Sequence, residues 1–147
     1  MDAVDKNLIY LAQTDTTAGF CSQNLKKLNA IKNRPENQPC LITVAKFGEL
    51  KKLARVPKKY KNLVRKSQKT TILYPNLKAI RVVKDEKHAK FLVKFGWMYS
   101  TSANLHGQKF NLEFAKNVVD VIADSEFSEK QASRIFKLSK NKIKKIR

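Results

Sequence analysis

The apolar residues of this chain come in short β-rich runs, among them CLITVAKF (40–47), KTTILYP (69–75) and KAIRVVK (78–84), separated by charged stretches with helical spacing. A run of that length crosses a sheet once, whereas a membrane helix needs roughly 18 or more consecutive apolar residues. The chain is therefore constrained to alternate strands with helices. NLIYLAQT (7–14) reads as a strand, and QNLKKLNAIKN (23–33) as a helix with Leu25, Leu28 and Ile31 on one face, stopped by Pro35. Two short basic helices follow the strand at 40–47, from about Gly48 and from Pro57, whose fixed φ suits a first helical turn. The strands at 69–75 and 78–84 are joined by a Pro75-Asn76 turn. Asp85 caps a helix that turns Phe91, Leu92 and Phe95 inward and stops at Gly96. WMYST (97–101) is a further strand, Asn111 to about Asn117 a short helix, and VVDVIAD (118–124), ASRIFKL (132–138) and KIKKI (142–146) are closing strands.

This order, β-α-β-α-α-β-β-α-β-α-β-β-β, predicts an α/β (α+β) fold: an open, twisted, mixed sheet with helices packed on it. At 147 residues, one domain covering 1–147 around a single core is expected. Trp97, Phe91 and Phe95 have the spacing of buried faces, and His88 is placed on a solvated helix surface. The start MDAVDKNLIY carries acids where a secretory signal would carry basic residues, and the expectation is a soluble, cytoplasmic protein without a membrane partner. Cys21 and Cys40 are isolated, His88 and His106 do not join them in a ligand spacing, and no protein metal site is expected.

The formal net charge is +19. Charge of that size on a small domain attracts polyanions and otherwise repels itself. The segments 51–69 and 137–147 contain no acid, which makes RNA the natural partner, although lysines alone specify neither a sequence nor a chemistry. The alternating Ile143 and Ile146 among lysines are equally explained by a protected edge strand.

Three polar segments stand at the ends of predicted elements. YSTSANLHG (99–107) leaves a strand where α/β sheets place ligand sites, with Ser100, Thr101, Ser102 and Asn104 at the exit and Gly107 free to turn sharply. TDTTAG (14–19) puts hydroxyls and an exposed Asp15 into a loop. AIKNRP (30–35) ends a helix with Lys32 and Arg34, a pair that answers the helix dipole or clamps phosphate.

In the order T-D-T, K-x-R-P, an arginine in AIRV and S-T-S-A-N-x-x-G, the chain resembles the YrdC/YciO-like family over about Asn7 to Asn111, with a weaker echo in ASRIFKL. It departs from that pattern at KSQKT, where only Thr70 matches P-G-P-x-T, and at Gln13, Ala18, His106 and Arg134. The active members are L-threonylcarbamoyladenylate synthases, which join L-threonine, bicarbonate and ATP and release pyrophosphate. A partner, the threonylcarbamoyl-transferase complex, then modifies tRNA beside the anticodon. The resemblance implies a YrdC-like fold with ATP and Mg²⁺ in the site. It implies catalytic and ATP-binding roles for Lys32 and Arg34 and ATP contacts for Ser102 and Asn104. Threonine contacts fall to Thr14 or Thr16, Arg81, Thr101 and Ser133, and Asp15 could help place the metal. A guanidinium fork such as that of Arg81 grips a carboxylate at two points. The alternative is a non-catalytic member that binds double-stranded RNA or tRNA in translation or ribosome maturation.

Overall fold

The computed structural model describes residues 5–105 and 108–147. Strands β1 (Tyr10–Gln13) and β2 (Ala18–Ser22) form an antiparallel hairpin, followed by helix α1 (Leu25–Ile31). Next come β3 (Leu41–Val44), α2 (Phe47–Leu53), a 3-10 turn at Lys58–Tyr60 and α3 (Lys61–Lys66). Strands β4 (Thr70–Leu73) and β5 (Ala79–Val82), helix α4 (Glu86–Val93) and strand β6 (Trp97–Ser102) follow. Helix α5 (Leu112–Val118) and strands β7 (Val121–Ile122), β8 (Arg134–Leu138) and β9 (Ile143–Lys145) complete the fold. The strands form one sheet in the order β7-β1-β2-β6-β3-β5-β4-β8-β9. It is mixed: β1/β7, β3/β5 and β4/β8 are parallel and the other neighbours antiparallel. The fold is α/β, as the sequence predicts.

Directly paired residues share a sheet face, so the register assigns each side chain. On one face Ile42, Val44, Ile72, Ile80 and Val82 meet Leu50 of α2 and Val64 of α3. Toward the other end Leu11 and Phe20 pack on Leu28 of α1 and Ala115 of α5. The opposite face is covered only in part. Tyr10, Ala12, Cys21 and Met98 pack beneath Leu92 of α4. Beyond them Gly19, Ser100, Ser102, Leu41, Ala79, Arg81, Thr71 and Leu73 line an open cleft.

Several local signals act as expected. Asp85 accepts the His88 N–H at 3.0 Å, and Gly96 ends the following turn at φ +84°, where glycine has no Cβ to strain. Phe91, Phe95 and Trp97 are partly buried against the core clusters.

Other expectations are corrected. Strand β2 begins inside the stretch 14–19 that the sequence predicts as a loop; all five of its residues are buried, so the alternation that marks a half-exposed strand is missing. VVDVIAD contributes only the two residues of β7. Its acids serve the edge of β1 instead: Asp120 accepts the Ile9 N–H and Asp124 the Gln13 N–H, each at 2.8 Å. Helix α1 starts after Asn24, whose side chain accepts the Lys27 N–H, and ends two residues early, with Asn33 at φ 55°.

His88 is not solvated but buried, stacked on Phe91 with centroids 5.7 Å apart. Its position completes the i, i+3, i+4, i+7 stripe with Phe91, Leu92 and Phe95, and position outweighs polarity. Burial pushes its pKa down to about 4, so the ring is neutral. Neither ring nitrogen has a hydrogen-bond partner among the described residues.

Candidate functional site

The cleft on the uncovered face has a volume of about 430 Å³, and Thr14, Thr16, Arg81, Thr101, Ser102 and Ser133 all line it. These residues come from four places in the chain, brought together by the β1–β2 hairpin, β5, β6 and the start of β8. A second groove of about 710 Å³ adjoins it, sharing Thr17, Ala18, Ser102 and Glu129 and adding Asn104. Of the polar groups expected to act together, these seven border one continuous concavity, while Lys32 and Arg34 do not.

The floor at the hairpin is built by close approach. A Cβ on Gly19 would stand 2.7 Å from Thr14 Cγ2 and 3.3 Å from the Thr101 carbonyl oxygen, so only glycine lets the turn lie against β6. Within the turn Thr14 Oγ1 donates to the Thr17 carbonyl at 2.6 Å and accepts the N–H groups of Thr16 and Thr17, each at 3.2 Å. Its hydroxyl therefore stabilises the turn. Thr16 stands beside it, with the two hydroxyls 3.3 Å apart.

Asp15 is not an exposed loop acid: it is 3% exposed and stands 3.3 Å from Arg81 Nη2, itself 4% exposed. Two charges removed from water are tolerated because each answers the other. Burial lowers the Arg81 pKa and the Asp15 charge partly restores it, leaving the guanidinium charged. The pair leaves Arg81 Nε buried without a hydrogen-bond partner among the described residues. Above it Ser133 Oγ lies 3.1 Å from Thr71 Oγ1 and accepts from Arg147 Nη2 at 3.2 Å.

Arg147 was not anticipated from sequence. It lines the cleft as a second guanidinium, anchored by Nε to the Ser133 carbonyl at 3.0 Å and by backbone pairing with Ile135. A basic residue ending a lysine-rich stretch carries no local signal; only the β8–β9 pairing turns it inward.

Lys32 and Arg34 line neither cavity and stand behind the cleft wall. Lys32 Nζ donates to the Ser102 carbonyl at 2.7 Å and to the Asn104 carbonyl, and reaches Asn104 Oδ1 at 3.2 Å. It ties α1 to the loop after β6. Burial, with Arg34 nearby, pushes its pKa down to about 8. Arg34 Nη1 points to Thr101 Oγ1 at 3.5 Å, a weak contact, and its Nε and Nη2 are buried without a partner among the described residues. Ser102 Oγ donates to Asn104 Oδ1 at 2.5 Å. Gly107 and His106 lie outside the described residues.

The donors suit an anion: two guanidiniums at the cleft, a third with unmet N–H groups behind it, and a ring of hydroxyls. No group of three or more His, Cys, Asp or Glu side chains among the described residues could hold a metal ion. Asp15 is committed to Arg81, so a Mg²⁺ ion entering with a nucleotide would draw its ligands from phosphate and water.

A mixed open sheet with a hydroxyl- and arginine-lined cleft on its uncovered face defines an α/β domain built around an anion-accepting concavity. The family model Sua5_yciO_yrdC, described as "Telomere recombination", matches residues 3–147, and the chain belongs to that family. The match extends past the stretch that carries the sequence resemblance and takes in β7, β8 and β9. Among solved structures, P. abyssi Sua5 complexed with L-threonine superposes with a TM-score of 0.77 at 20% identity, covering 95% of this chain and 50% of that one. E. coli YciO gives 0.75 at 16%, covering 97% and 83%, and MTH1692 from Methanobacterium thermoautotrophicum gives 0.67 at 20%, covering 95% and 79%. At these identities the likeness concerns the fold. The chain spans about half the length of the Sua5 structure. No curated protein matches it significantly. No helix among the described residues is long and apolar enough to cross a membrane.

Proposed function

We propose that this chain is an L-threonylcarbamoyladenylate synthase that supplies threonylcarbamoyl-AMP to a transferase complex modifying tRNA beside the anticodon. The observation that carries the proposal is the gathering of Arg81, Thr16, Ser102 and Ser133 around one cleft, with the unmet N–H groups of Arg34 behind its wall. Family membership and the L-threonine complex of P. abyssi Sua5 support it.

In this reading Arg81, held by Asp15, takes the threonine carboxylate, and Thr16 and Ser133 contact the amino acid. The amine adds to carbon dioxide derived from bicarbonate, losing a proton and forming an N–C bond. A carbamate oxygen then attacks the α-phosphorus of ATP; the new P–O bond forms as the bond to the β-phosphate oxygen breaks, and pyrophosphate leaves. Such a reaction needs alignment and positive charge near the leaving group more than an acid-base pair. Ser102 and Asn104 hold the nucleotide in the adjoining groove, Lys32 shapes the loop that receives the phosphates, and Arg34 supplies positive charge to them from behind the wall. Mg²⁺ bound with ATP would neutralise part of the phosphate charge.

Purified protein incubated with ATP, L-threonine, Mg²⁺ and labelled bicarbonate should form threonylcarbamoyl-AMP and pyrophosphate in a threonine-dependent way. Arg34→Ala should lower the rate at least tenfold, since a charge-assisted contact is worth about 1.5–3 kcal/mol. A rate within about twofold of wild type would remove Arg34 from the site. No adenylate from wild-type protein, with RNA binding intact, would favour the alternative of a non-catalytic RNA-binding member, which the net charge of +19 supports.

A further inference from the structure

The net positive charge of this protein is concentrated at one end of its sheet. Residues 50–84 and 130–147 hold 20 of the 31 Lys and Arg residues and none of the 12 Asp and Glu residues; the other 94 residues carry 11 of the former and all 12 of the latter. These 94 residues are therefore close to neutral, and the whole net charge sits in two segments far apart in sequence. The fold brings them together. Strand β8 pairs in parallel with β4, β9 pairs with β8, and the Tyr60 hydroxyl donates to the Asn141 carbonyl at 3.0 Å. The contiguous block β5-β4-β8-β9, with the end of α2, the 3-10 turn and α3 on its face, becomes a flank without an acid.

Those cations are not neutralised internally. Among the described residues only Lys52, with Glu49, and Arg81, with Asp15, have a carboxylate within salt-bridge distance; the other 18 have none. Such crowding repels itself unless a polyanion relieves it. At the end of the flank, away from the cleft, Arg55, Lys58, Lys59 and Lys140 surround a groove of about 600 Å³ with Asn76 and Asn141 beside them. All four cations are exposed. The groove joins three separate connections: the one after α2, the β4–β5 turn and the β8–β9 turn.

We propose that this flank, centred on the groove, is a docking surface for the phosphodiester backbone of RNA, separate from the cleft. The shape supports a strand over a lipid surface: a ridge of phosphates enters a groove, whereas a planar headgroup layer would meet only its rims. Lysines, an arginine and amides are the groups that contact phosphate oxygens and position a nucleic acid without reading its bases. The near-neutral remainder of the chain orients the approach, because a one-sided field turns the molecule flank-first toward a polyanion. Choosing RNA over DNA rests on the function proposed above; the surface itself does not.

The test uses fluorescence anisotropy with a labelled RNA duplex of about 20 base pairs, a DNA duplex of the same sequence and anionic phosphatidylserine vesicles, from about 50 to 200 mM salt. The variant Arg55→Glu/Lys58→Glu/Lys140→Glu is compared with Lys90→Glu/Lys94→Glu/Lys116→Glu, which makes the same charge change on α4, at its C-cap and on α5. The flank variant is expected to bind the RNA duplex at least tenfold more weakly than wild type and to lower the salt slope by about 3, while the control stays within about threefold. Equal losses in both variants would overturn the localisation. DNA or vesicles bound as tightly as RNA would overturn the choice of partner. Adenylate synthesis, run on the same samples, should be unchanged in the flank variant; if wild type makes no adenylate yet the RNA pattern holds, the synthase reading fails and this surface stands.

Discussion

Arg81 and Asp15 meet at the base of the cleft with Nη2 and Oδ1 3.3 Å apart, both side chains more than nine-tenths buried. The carboxylate from the hairpin turn fixes the guanidinium from β5, so a residue that is not part of the cleft lining holds in place one that is.

Replacing Asp15 by Asn keeps the shape and removes the counter-charge. Leaving one member of a buried pair uncompensated costs about 3–5 kcal/mol, which in a domain of this size lowers the melting temperature by about 10 °C. Threonine binding should fall with it. A melt within about 2 °C of wild type would show that other contacts hold Arg81 in place.

Under the proposed function, Lys32 makes ATP binding sensitive to alkali. Its folded pKa of about 8 lies below the ordinary 10.5, so between these values the unfolded chain holds the extra proton, and this residue's contribution to stability rises with pH. Its charge is lost over the same range. ATP affinity is therefore expected to drop roughly tenfold from about pH 7 to about pH 9.5 while the fold gains from Lys32, and Lys32→Met should flatten that profile. Calorimetric titration at both pH values distinguishes these outcomes.

His88 acts at the acid end. With a folded value of about 4 against 6.5, its neutral ring contributes fully above pH 6.5, and that contribution drains away as pH falls toward 4, by up to about 3 kcal/mol. Between pH 7 and pH 5 wild type should lose about 5 °C more in melting temperature than His88→Leu. Parallel losses would place the acid sensitivity elsewhere.

Gly19→Ala tests the packing under the cleft. The new methyl would force Thr14 Cγ2 aside from 2.7 Å, and β-branched Thr14 has little freedom to move in its turn. Overpacking of this kind costs about 1–3 kcal/mol. Adenylate formation should fall more than stability, and unchanged kinetics with an unchanged melt would show that the turn can yield.

Much of this was legible in the sequence. Short β-rich runs, the Asp85 cap, the Gly96 stop and the hydroxyl clusters around Thr14 and Ser102 act through neighbours a few residues away, and local signals can be read locally. Strand β2 was missed because burial on both faces erases the alternation that announces a strand. Polarity alone assigns His88 and Asp15 to the surface, but the apolar stripe of α4 turns His88 inward beside Phe91, and the distant Arg81 takes up Asp15.

The sequence by itself determined the alternation of strands and helices, the chain's charge and the residue types that could meet an anion. Only the tertiary structure decided that Arg147 shares the cleft with Arg81, that Lys32 straps the loop from behind, and that two acid-free segments merge into one flank. Each of these depends on strand order and on contacts between residues tens of positions apart. Such pairings are selected by the free energy of the whole packed sheet, which no local stretch of the chain encodes.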